Sequence, residues 1–173
     1  MKKLTLTLVR HAKSSWKDPT LHDRERPLNK RGHRDAADMA DRLASKKHRP
    51  DLLISSPALR ARTTAEYFAH ALGMNSCDIH LDERLYFCGA KGMRKVLRKL
   101  PLDVRSVMLF GHNPDISLLA SDLLNTPLAP LPTCTVIKLK FDCAQWGEID
   151  NHQARLKWLE SPKQDQIRLL GSH

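Results

Sequence analysis

The amino-acid sequence predicts an α/β fold of three layers, with helices on both faces of a mostly parallel sheet. Apolar segments of strand length alternate with segments of helical periodicity over most of the chain, an order that is typical of parallel sheets. The last two strand-like segments, 133–141 and 155–159, follow each other through Gly147 with no helical pattern between them. We therefore expect the sheet to end in an antiparallel pair of strands.

The first strand is predicted over residues 4–9, where leucine and valine alternate with threonine. The polar stretch 13–26 has neither helical nor strand periodicity, so we expect a loop there. Asn29 is suited to cap a helix, because apolar side chains recur at helical spacing over residues 36–44. The charged segment 45–50 is expected to end this helix.

A short buried strand is predicted at residues 52–54, and a second helix follows it. Pro57 is favourable in the first turn of a helix, with Ser56 as its cap, and Gly73 is suited to end the helix. Residues 78–81 indicate a minor strand at the edge of the sheet.

The second half of the chain continues the alternation. Residues 91–100 have the apolar spacing of a helix, and residues 107–110 form an uninterrupted apolar run. Such a run indicates a central parallel strand that is covered on both faces. A further helix is expected at 116–124, and three prolines between positions 127 and 132 predict a rigid connection to the late strands.

Length and charge limit the class of protein. The chain has 173 residues, which fits a single domain spanning 1–173 with a sizeable core. It carries 29 Lys and Arg against 19 Asp and Glu, a formal charge of +10. This charge favours anionic partners, such as phosphorylated molecules, phosphoproteins, nucleic acid or anionic lipid. The basic residues are spread along the chain rather than clustered in a tail, so nucleic acid is the less favoured partner.

Cysteine usage and the chain ends carry little functional signal. The four cysteines, Cys77, Cys88, Cys134 and Cys143, form no CxxC pair and lack histidines at zinc-finger spacing, so we expect reduced thiols in a cytoplasmic protein. The apolar segment after Met1 is short and interrupted, unlike a secretory signal, and no segment is long enough to span a membrane. Residues 171–173 are compatible both with a native C-terminus and with residues added to it.

Histidine or arginine stands close behind three of the predicted strands. Arg10 and His11 follow the first strand, His112 follows the run at 107–110, and Arg60 lies one turn into the helix after 52–54. Because parallel strands end at the same edge of a sheet, the two imidazoles can face each other if their strands are neighbours. A helix start beside them would add amide donors that suit a phosphoryl group.

These groups predict phosphoryl chemistry. A neutral imidazole at His11 is a good nucleophile toward phosphorus if its other ring nitrogen donates to a backbone carbonyl. Arg10 and Arg60 would hold the phosphoryl oxygens, and His112 would donate a further hydrogen bond to them. Water would then cleave the phosphohistidine, with no metal or other cofactor required.

Each of these residues alone has an ordinary structural explanation. A strand often ends in a basic residue for solvation, and Arg60 by itself could form a surface ion pair. His112 by itself could belong to a turn that caps a helix. Their joint occurrence at the exits of separate strands is what favours a functional site.

Four short motifs stand in this order along the chain: 9–12 (VRHA), 26–32 (RPLNKRG), 55–61 (SSPALRA) and 111–114 (GHNP). Together they resemble the histidine phosphatase superfamily, which has a phosphoglycerate mutase-like fold, and in particular its SixA-type phosphohistidine phosphatase branch. The resemblance implies that His11 is the phosphorylated nucleophile. It also implies that Arg10, Arg60 and His112 complete the phosphate pocket.

Two features refine the resemblance. Much of the superfamily has glycine after the nucleophilic histidine, whereas Ala12 is usual in the SixA-like branch. Mutase-like members place a general acid in a Leu-x-Glu context, which residues 81–83 match, so Glu83 is a candidate acid. The alternative is that Glu83 is an exposed partner of Arg84. A phosphoimidazole leaving group can take its proton from solvent, whereas an alkyl phosphate needs a positioned donor.

The rim of the predicted pocket includes Lys13 and Ser14, with Ser15 and Arg26 nearby, and these residues are candidates to bind the rest of the substrate. A solvated basic loop is the alternative for this stretch.

The sequence as a whole predicts a metal-independent phosphatase that acts through His11, with a phosphohistidine-bearing protein as the first candidate substrate and partner and with no membrane association. Two alternatives stay open at this point. One is a phosphatase of a small phosphorylated metabolite or nucleotide that uses the same site. The other is a non-catalytic basic module that binds phosphate or nucleic acid.

Overall fold

The computed structural model describes residues 3–151 and 153–163. In these residues, six strands form one sheet, and their bounds are β1 Leu4–Arg10, β2 Leu52–Ser55, β3 His80–Leu81, β4 Ser106–Gly111, β5 Val136–Phe141 and β6 Arg155–Glu160. The α-helices are α1 Lys30–Ser45, α2 Leu59–Ala71, α3 Gly89–Arg98 and α4 Asp115–Leu124. The strand order is β3-β2-β4-β1-β5-β6. The first four strands run parallel, and β5 and β6 are added as an antiparallel pair, which confirms the predicted α/β fold.

Helices cover both faces of the sheet. Side chains of α1 and α2 pack on one face, and side chains of α3 and α4 pack on the other. Residues 107–110 of the central strand β4 are all apolar because both of its faces are covered. Met108 and Phe110 pack in the core formed with α1 and α2, whereas Val107 and Leu109 pack in the core formed with α3 and α4. A strand with two covered faces favours apolar side chains at successive positions. Among the described residues, no helix has the length and apolar composition needed to cross a membrane.

The start of α1 confirms the predicted cap and shows a close contact. The side chain of Asn29 accepts a hydrogen bond from the backbone nitrogen of Gly32 at 2.8 Å. Its own backbone nitrogen donates to the carbonyl oxygen of Lys13, in the loop after β1, at 3.0 Å. A Cβ atom at position 32 would lie 2.1 Å from that same oxygen. Glycine therefore allows the helix start and the loop to lie in contact.

Two predicted boundaries move, and one predicted turn is more ordered than expected. Helix α2 begins at Leu59 and not at Pro57, and its N-cap is Ala58 and not Ser56; the Ser56 hydroxyl accepts from the backbone nitrogen of Ala58 and also bonds to a histidine ring. Strand β5 begins at Val136 and not at residue 133, since Cys134 adopts a left-handed backbone with φ of 59°. The connection from β5 to β6 contains a short 3-10 helix at Trp146–Asn151, which includes the predicted turn residue Gly147.

The other predicted elements are confirmed within one or two residues at most of their ends. Gly73 follows α2 in a left-handed conformation with φ of 66°, as expected of a glycine that ends a helix. The minor strand β3 lies at the edge of the sheet, next to β2. Residues 171–173, discussed above as a chain end, lie outside the described residues.

Candidate active site

The two site histidines lie side by side because their strands are neighbours. Strands β1 and β4 pair in parallel, with Arg10 opposite Gly111, so the next residues along each strand are His11 and His112. Their ring centroids are 5.1 Å apart. The backbone nitrogen of His11 also donates to the carbonyl oxygen of Gly111 at 3.0 Å, which continues the ladder to the site. The sheet therefore brings the two imidazoles to one edge, as the sequence predicts.

The ring of His11 has one nitrogen engaged and one free. Its Nδ1 lies 2.7 Å from the carbonyl oxygen of Ala12, so this nitrogen carries the proton and donates it. The lone pair is then on Nε2. The pKa of His11 is lowered to about 4, mainly by burial and also by the nearby positive charges of Arg60 and Arg10. The ring is consequently neutral at pH 7, in the form that acts as a nucleophile.

Arg60 is buried and held by Asp23, a residue of the loop after β1. Its Nη1 donates to the backbone oxygen of Asp23 at 2.5 Å, and its Nη2 donates to the Asp23 carboxylate at 2.8 Å. The same carboxylate accepts from Arg26 at 3.0 Å and from the hydroxyl of Tyr86 at 2.5 Å. Burial alone would raise the pKa of Asp23, but these donors and the charge of Arg60 hold it well below its usual value. Asp23 is therefore an ionised group that orients two arginines.

His112 is held in a complementary tautomer. Its Nε2 lies 2.8 Å from the hydroxyl of Ser56, and that hydroxyl oxygen accepts from the backbone nitrogen of Ala58 at 3.3 Å. The hydroxyl proton is thus available to Nε2, which leaves the proton of the neutral ring on Nδ1. Burial lowers the pKa of His112 to about 3, and the neighbouring His11 and Arg60 act in the same direction.

Three buried donors of the site have no hydrogen-bond partner among the described residues. They are Nε of Arg10, Nε of Arg60 and Nδ1 of His112. A different nitrogen of Arg10, Nη1, donates to the backbone oxygen of Leu131 at 2.6 Å. A buried donor without a partner costs free energy, and clusters of such donors are typical of sites that take an anion. Arg10 and Arg60 lie close enough to His11 for their charges to lower its pKa, and the His112 ring centroid lies 5.1 Å from that of His11.

Glu83 forms an ion pair at the surface of the described residues. Its side chain is 71% exposed, and both of its carboxylate oxygens lie 2.8 Å from Nη2 of Arg24. The alternative pairing with Arg84 is wrong, because Arg84 bonds to Asp82 at 2.7 Å. A role for Glu83 as general acid stays a prediction.

The rim residues predicted from the sequence are more ordered than a solvated loop. Ser14 is buried, and its hydroxyl accepts from Nη2 of Arg26 at 2.5 Å. The guanidinium carbon of Arg26 lies 3.2 Å from the centroid of the Trp16 ring. Lys13 is half-buried and contributes its backbone oxygen to the contact with α1. Binding of substrate by Lys13 and Ser14 stays a prediction.

Several residues of the site are absent from the sequence-based prediction. Asp23 stands in a loop without periodicity, so no pattern indicates that it reaches Arg60. Ser56 has the signature of a helix cap, which conceals its contact with His112. Two aromatic residues also pack on His112: Phe87 stacks at 4.7 Å between centroids with 27° between planes, and Tyr86 meets it edge-on at 5.6 Å.

The sequence and the fold of this chain were compared with those of known proteins. A model described as "Histidine phosphatase superfamily (branch 1)" matches residues 6–86. An uncharacterised chloroplastic protein of Arabidopsis thaliana is 33% identical over 151 residues, covering 83% of this chain and 69% of that protein. A solved structure from Agrobacterium tumefaciens, named as a SixA phosphohistidine phosphatase, superposes with a TM-score of 0.78 at 28% identity. The superposition covers 92% of this chain and 99% of the other.

The same fold occurs in proteins with other names. A mycobacterial glucosyl-3-phosphoglycerate phosphatase superposes with a TM-score of 0.70 at 18% identity, covering 90% of this chain and 98% of that chain. At this identity the likeness concerns the fold alone. The segment matched by the family model contains Arg10, His11 and Arg60, and the structural similarity extends past it to His112. The chain therefore belongs to the histidine phosphatase superfamily and is similar to its SixA-type branch.

Proposed function

We propose that this protein hydrolyses protein phosphohistidine through a phosphohistidine intermediate on its own His11. Membership of the superfamily supports phosphatase activity in general. The intermediate on His11 is supported by one observation: the free Nε2 of the neutral His11 lies in a site where three buried donors have no partner among the described residues. A nucleophile and a set of oxyanion donors are the two parts that phosphoryl transfer to a histidine requires.

The reaction has two steps. The lone pair on Nε2 of His11 forms a bond to phosphorus, and the bond from phosphorus to the leaving atom breaks with its electron pair on the leaving group. Arg10, Arg60 and His112 hold the equatorial oxygens, where charge is spread in the transition state. In the second step a water oxygen attacks phosphorus and loses a proton to solvent, and the nitrogen–phosphorus bond breaks with its electron pair on Nε2. Inorganic phosphate then leaves, and His11 is neutral again.

The acidic residues near the pocket support a substrate whose leaving group needs no protein acid. Asp23 is ionised by its bonds to Arg60 and Tyr86, so it has no proton to give. Glu83 is paired with Arg24 at the surface. An imidazole leaving group can take its proton from water, whereas an alkoxide needs a positioned donor. Phosphohistidine is therefore favoured over alkyl phosphate esters.

A groove beside the pocket supports a protein substrate. It has a volume of about 470 Å³ and is lined by Leu21, Arg24, Glu25, Pro57, Leu59 and Arg62. Arg24 and Leu59 adjoin Asp23 and Arg60 in sequence, so the groove can receive the polypeptide that flanks a phosphorylated side chain. A cytoplasmic location and a phosphohistidine-bearing partner protein are part of this proposal.

Labelling of the intermediate tests the proposal. We expect brief mixing with a ³²P-labelled phosphohistidine peptide to give acid-labile, base-stable label on His11, with turnover that chelators do not change. His11→Asn should lose both the label and the turnover. His33→Asn is the matched control, because His33 is exposed and bonds to Tyr67 outside the site. Full activity in His11→Asn would end the proposal.

The alternative substrate class is a small phosphorylated metabolite or nucleotide. It is separated from the proposal by comparing kcat/KM for the phosphohistidine peptide with kcat/KM for sugar phosphates and nucleotides. Higher values for the alkyl esters would indicate that a general acid operates, with Glu83 as the first residue to substitute.

A further inference from the structure

Two exposed aromatic side chains are seated on residues of the active site. Trp16 is 73% exposed and Phe87 is 50% exposed, and the other aromatic side chains of the described residues are buried or half-buried. Trp16 lies on Arg26, and Phe87 lies on His112. Exposed aromatic rings on a basic, polar surface have an unfavourable contact with water that a ligand can relieve.

Phe87 is held in a strained backbone conformation. Its φ is 52°, in the left-handed region that a bulky side chain rarely adopts. The surrounding contacts hold it there: its ring stacks on His112 and meets Tyr86 edge-on at 4.9 Å. Strain of this kind costs free energy and is concentrated at ligand-binding positions. A ring that served only to shield His112 would be covered itself, whereas half of Phe87 is open to solvent.

Trp16 is placed by a network that reaches the phosphate pocket. The guanidinium of Arg26 under its ring bonds to Ser14, to the backbone oxygen of Ser15 and to Asp23. Asp23 in turn bonds to Arg60. One face of the indole is therefore fixed on the pocket wall, and the ring is otherwise largely exposed.

The direction of the reaction places the leaving group at this rim. In an in-line displacement, the leaving atom lies on the side of phosphorus opposite to the attacking nitrogen. His11 is buried at the base of the site, so the leaving group points outward. The arginines contact the phosphoryl oxygens, and the residues at the mouth contact the leaving group.

We propose that Phe87 and Trp16 form an aromatic rim that binds the leaving group by stacking and selects phosphoryl groups carried on a planar ring. The inference rests on the proposed function and extends it, because it names the residues that distinguish an imidazole leaving group from a small non-planar one. Neither residue is predicted as a site residue from the sequence.

Two substrates with the same type of bond test this inference. Phosphohistidine and phosphoramidate both contain a phosphorus–nitrogen bond, but one releases an imidazole and the other ammonia. The measured quantity is kcat/KM for phosphohistidine divided by kcat/KM for phosphoramidate. We expect Phe87→Leu and Trp16→Leu each to lower this ratio roughly 2- to 10-fold, the range expected for loss of one aromatic contact. Leu102→Ala removes an apolar side chain that is 68% exposed and lies before β4, and it should leave the ratio unchanged.

The outcomes separate this inference from the proposed function. If the wild-type protein turns over neither substrate, the proposed function fails. If it turns over both and the ratio is unchanged in both leucine variants, the aromatic rim is excluded. An equal loss on both substrates in Phe87→Leu would make Phe87 a positioning residue for His112 and would also overturn the inference. Trp16→Leu provides a second measurement on a side chain too exposed to support the fold.

Discussion

The chemistry of single residues in this site depends on which ring nitrogen of each histidine carries the proton. His11 donates from Nδ1 to the carbonyl of Ala12 and leaves Nε2 free to attack. His112 receives at Nε2 from Ser56 and leaves a proton on Nδ1 to donate. In the proposed reaction one imidazole is thus the nucleophile and the other a hydrogen-bond donor, although both are neutral and their centroids are 5.1 Å apart. Partners outside the pocket assign the two roles.

Substitution of Ser56 tests this assignment. Ser56→Ala removes the partner of His112 Nε2, so the ring is no longer held with its proton on Nδ1. We expect kcat to fall about 10-fold or more, as for other groups that orient a reactive histidine. Ser55→Ala is the control, because Ser55 is equally buried but donates to the backbone oxygen of Ser56 and not to a histidine. Equal kcat values in the two variants would contradict the assignment.

At the scale of elements, the site depends on how the loop after β1 lies against α1. The loop carries Asp23 and Arg26, which orient the rest of the pocket. It is fixed where the carbonyl oxygen of Lys13 accepts from Asn29, at the start of α1. The absence of a side chain at Gly32 is what allows this approach, since a Cβ there would lie 2.1 Å from the Lys13 oxygen. Helix packing and pocket geometry are therefore coupled at one position.

Gly32→Ala should disrupt this coupling. Alanine ordinarily favours a helix over glycine, but here its Cβ would displace a backbone oxygen that is already hydrogen-bonded. We expect the free energy of unfolding to fall by about 1–3 kcal/mol, as for other overpacked sites, and kcat/KM to fall as the loop moves. Urea unfolding and steady-state kinetics measure both effects. Gly147→Ala is the matched control, because its Cβ would meet no atom within 4 Å. A Gly32→Ala protein as stable and active as that control would refute the coupling.

At the scale of the whole molecule, the site is a buried, uncharged pair of imidazoles in a protein with a formal charge of +10. Burial lowers the pKa of His11 to about 4 and that of His112 to about 3. In the unfolded chain both rings have an ordinary pKa near 6.5. Below that value the unfolded state therefore binds protons that the folded state does not, and folding stability depends on pH.

The expected result is a loss of stability as pH falls from about 6.5 toward 4. Each of the two histidines can lower the free energy of unfolding by up to ~1.4 kcal/mol per pH unit in this range. Urea unfolding at a series of pH values measures the slope. The double variant His11→Asn/His112→Asn lacks both groups and should show a shallower slope. Equal slopes in the two proteins would show that the buried histidines titrate normally.

Local patterns in the sequence were sufficient for the sheet, its helices and four residues of the pocket. Strand alternation ends at Arg10 and His11, and an uninterrupted apolar run ends just before His112, so strand ends could be located from side-chain period alone. The shared edge of a parallel sheet then brings those ends together without knowledge of any contact. Arg60 follows from its place one turn into the helix after the second predicted strand, and a short motif resembling a known superfamily also points to it.

Only the tertiary structure decided how that pocket is supported. Asp23 meets Arg60 across 37 positions of the chain, and Ser56 meets His112 across 56. Neither contact has a sequence period, because side-chain hydrogen bonds between distant segments depend on how loops fold back onto the sheet. The same applies to Phe87, whose left-handed backbone and stacking on His112 follow from its surroundings and not from its residue type. The spacing of apolar residues in the sequence indicates which face of a helix or strand is buried. The partners of a buried polar group, in contrast, are determined by tertiary packing.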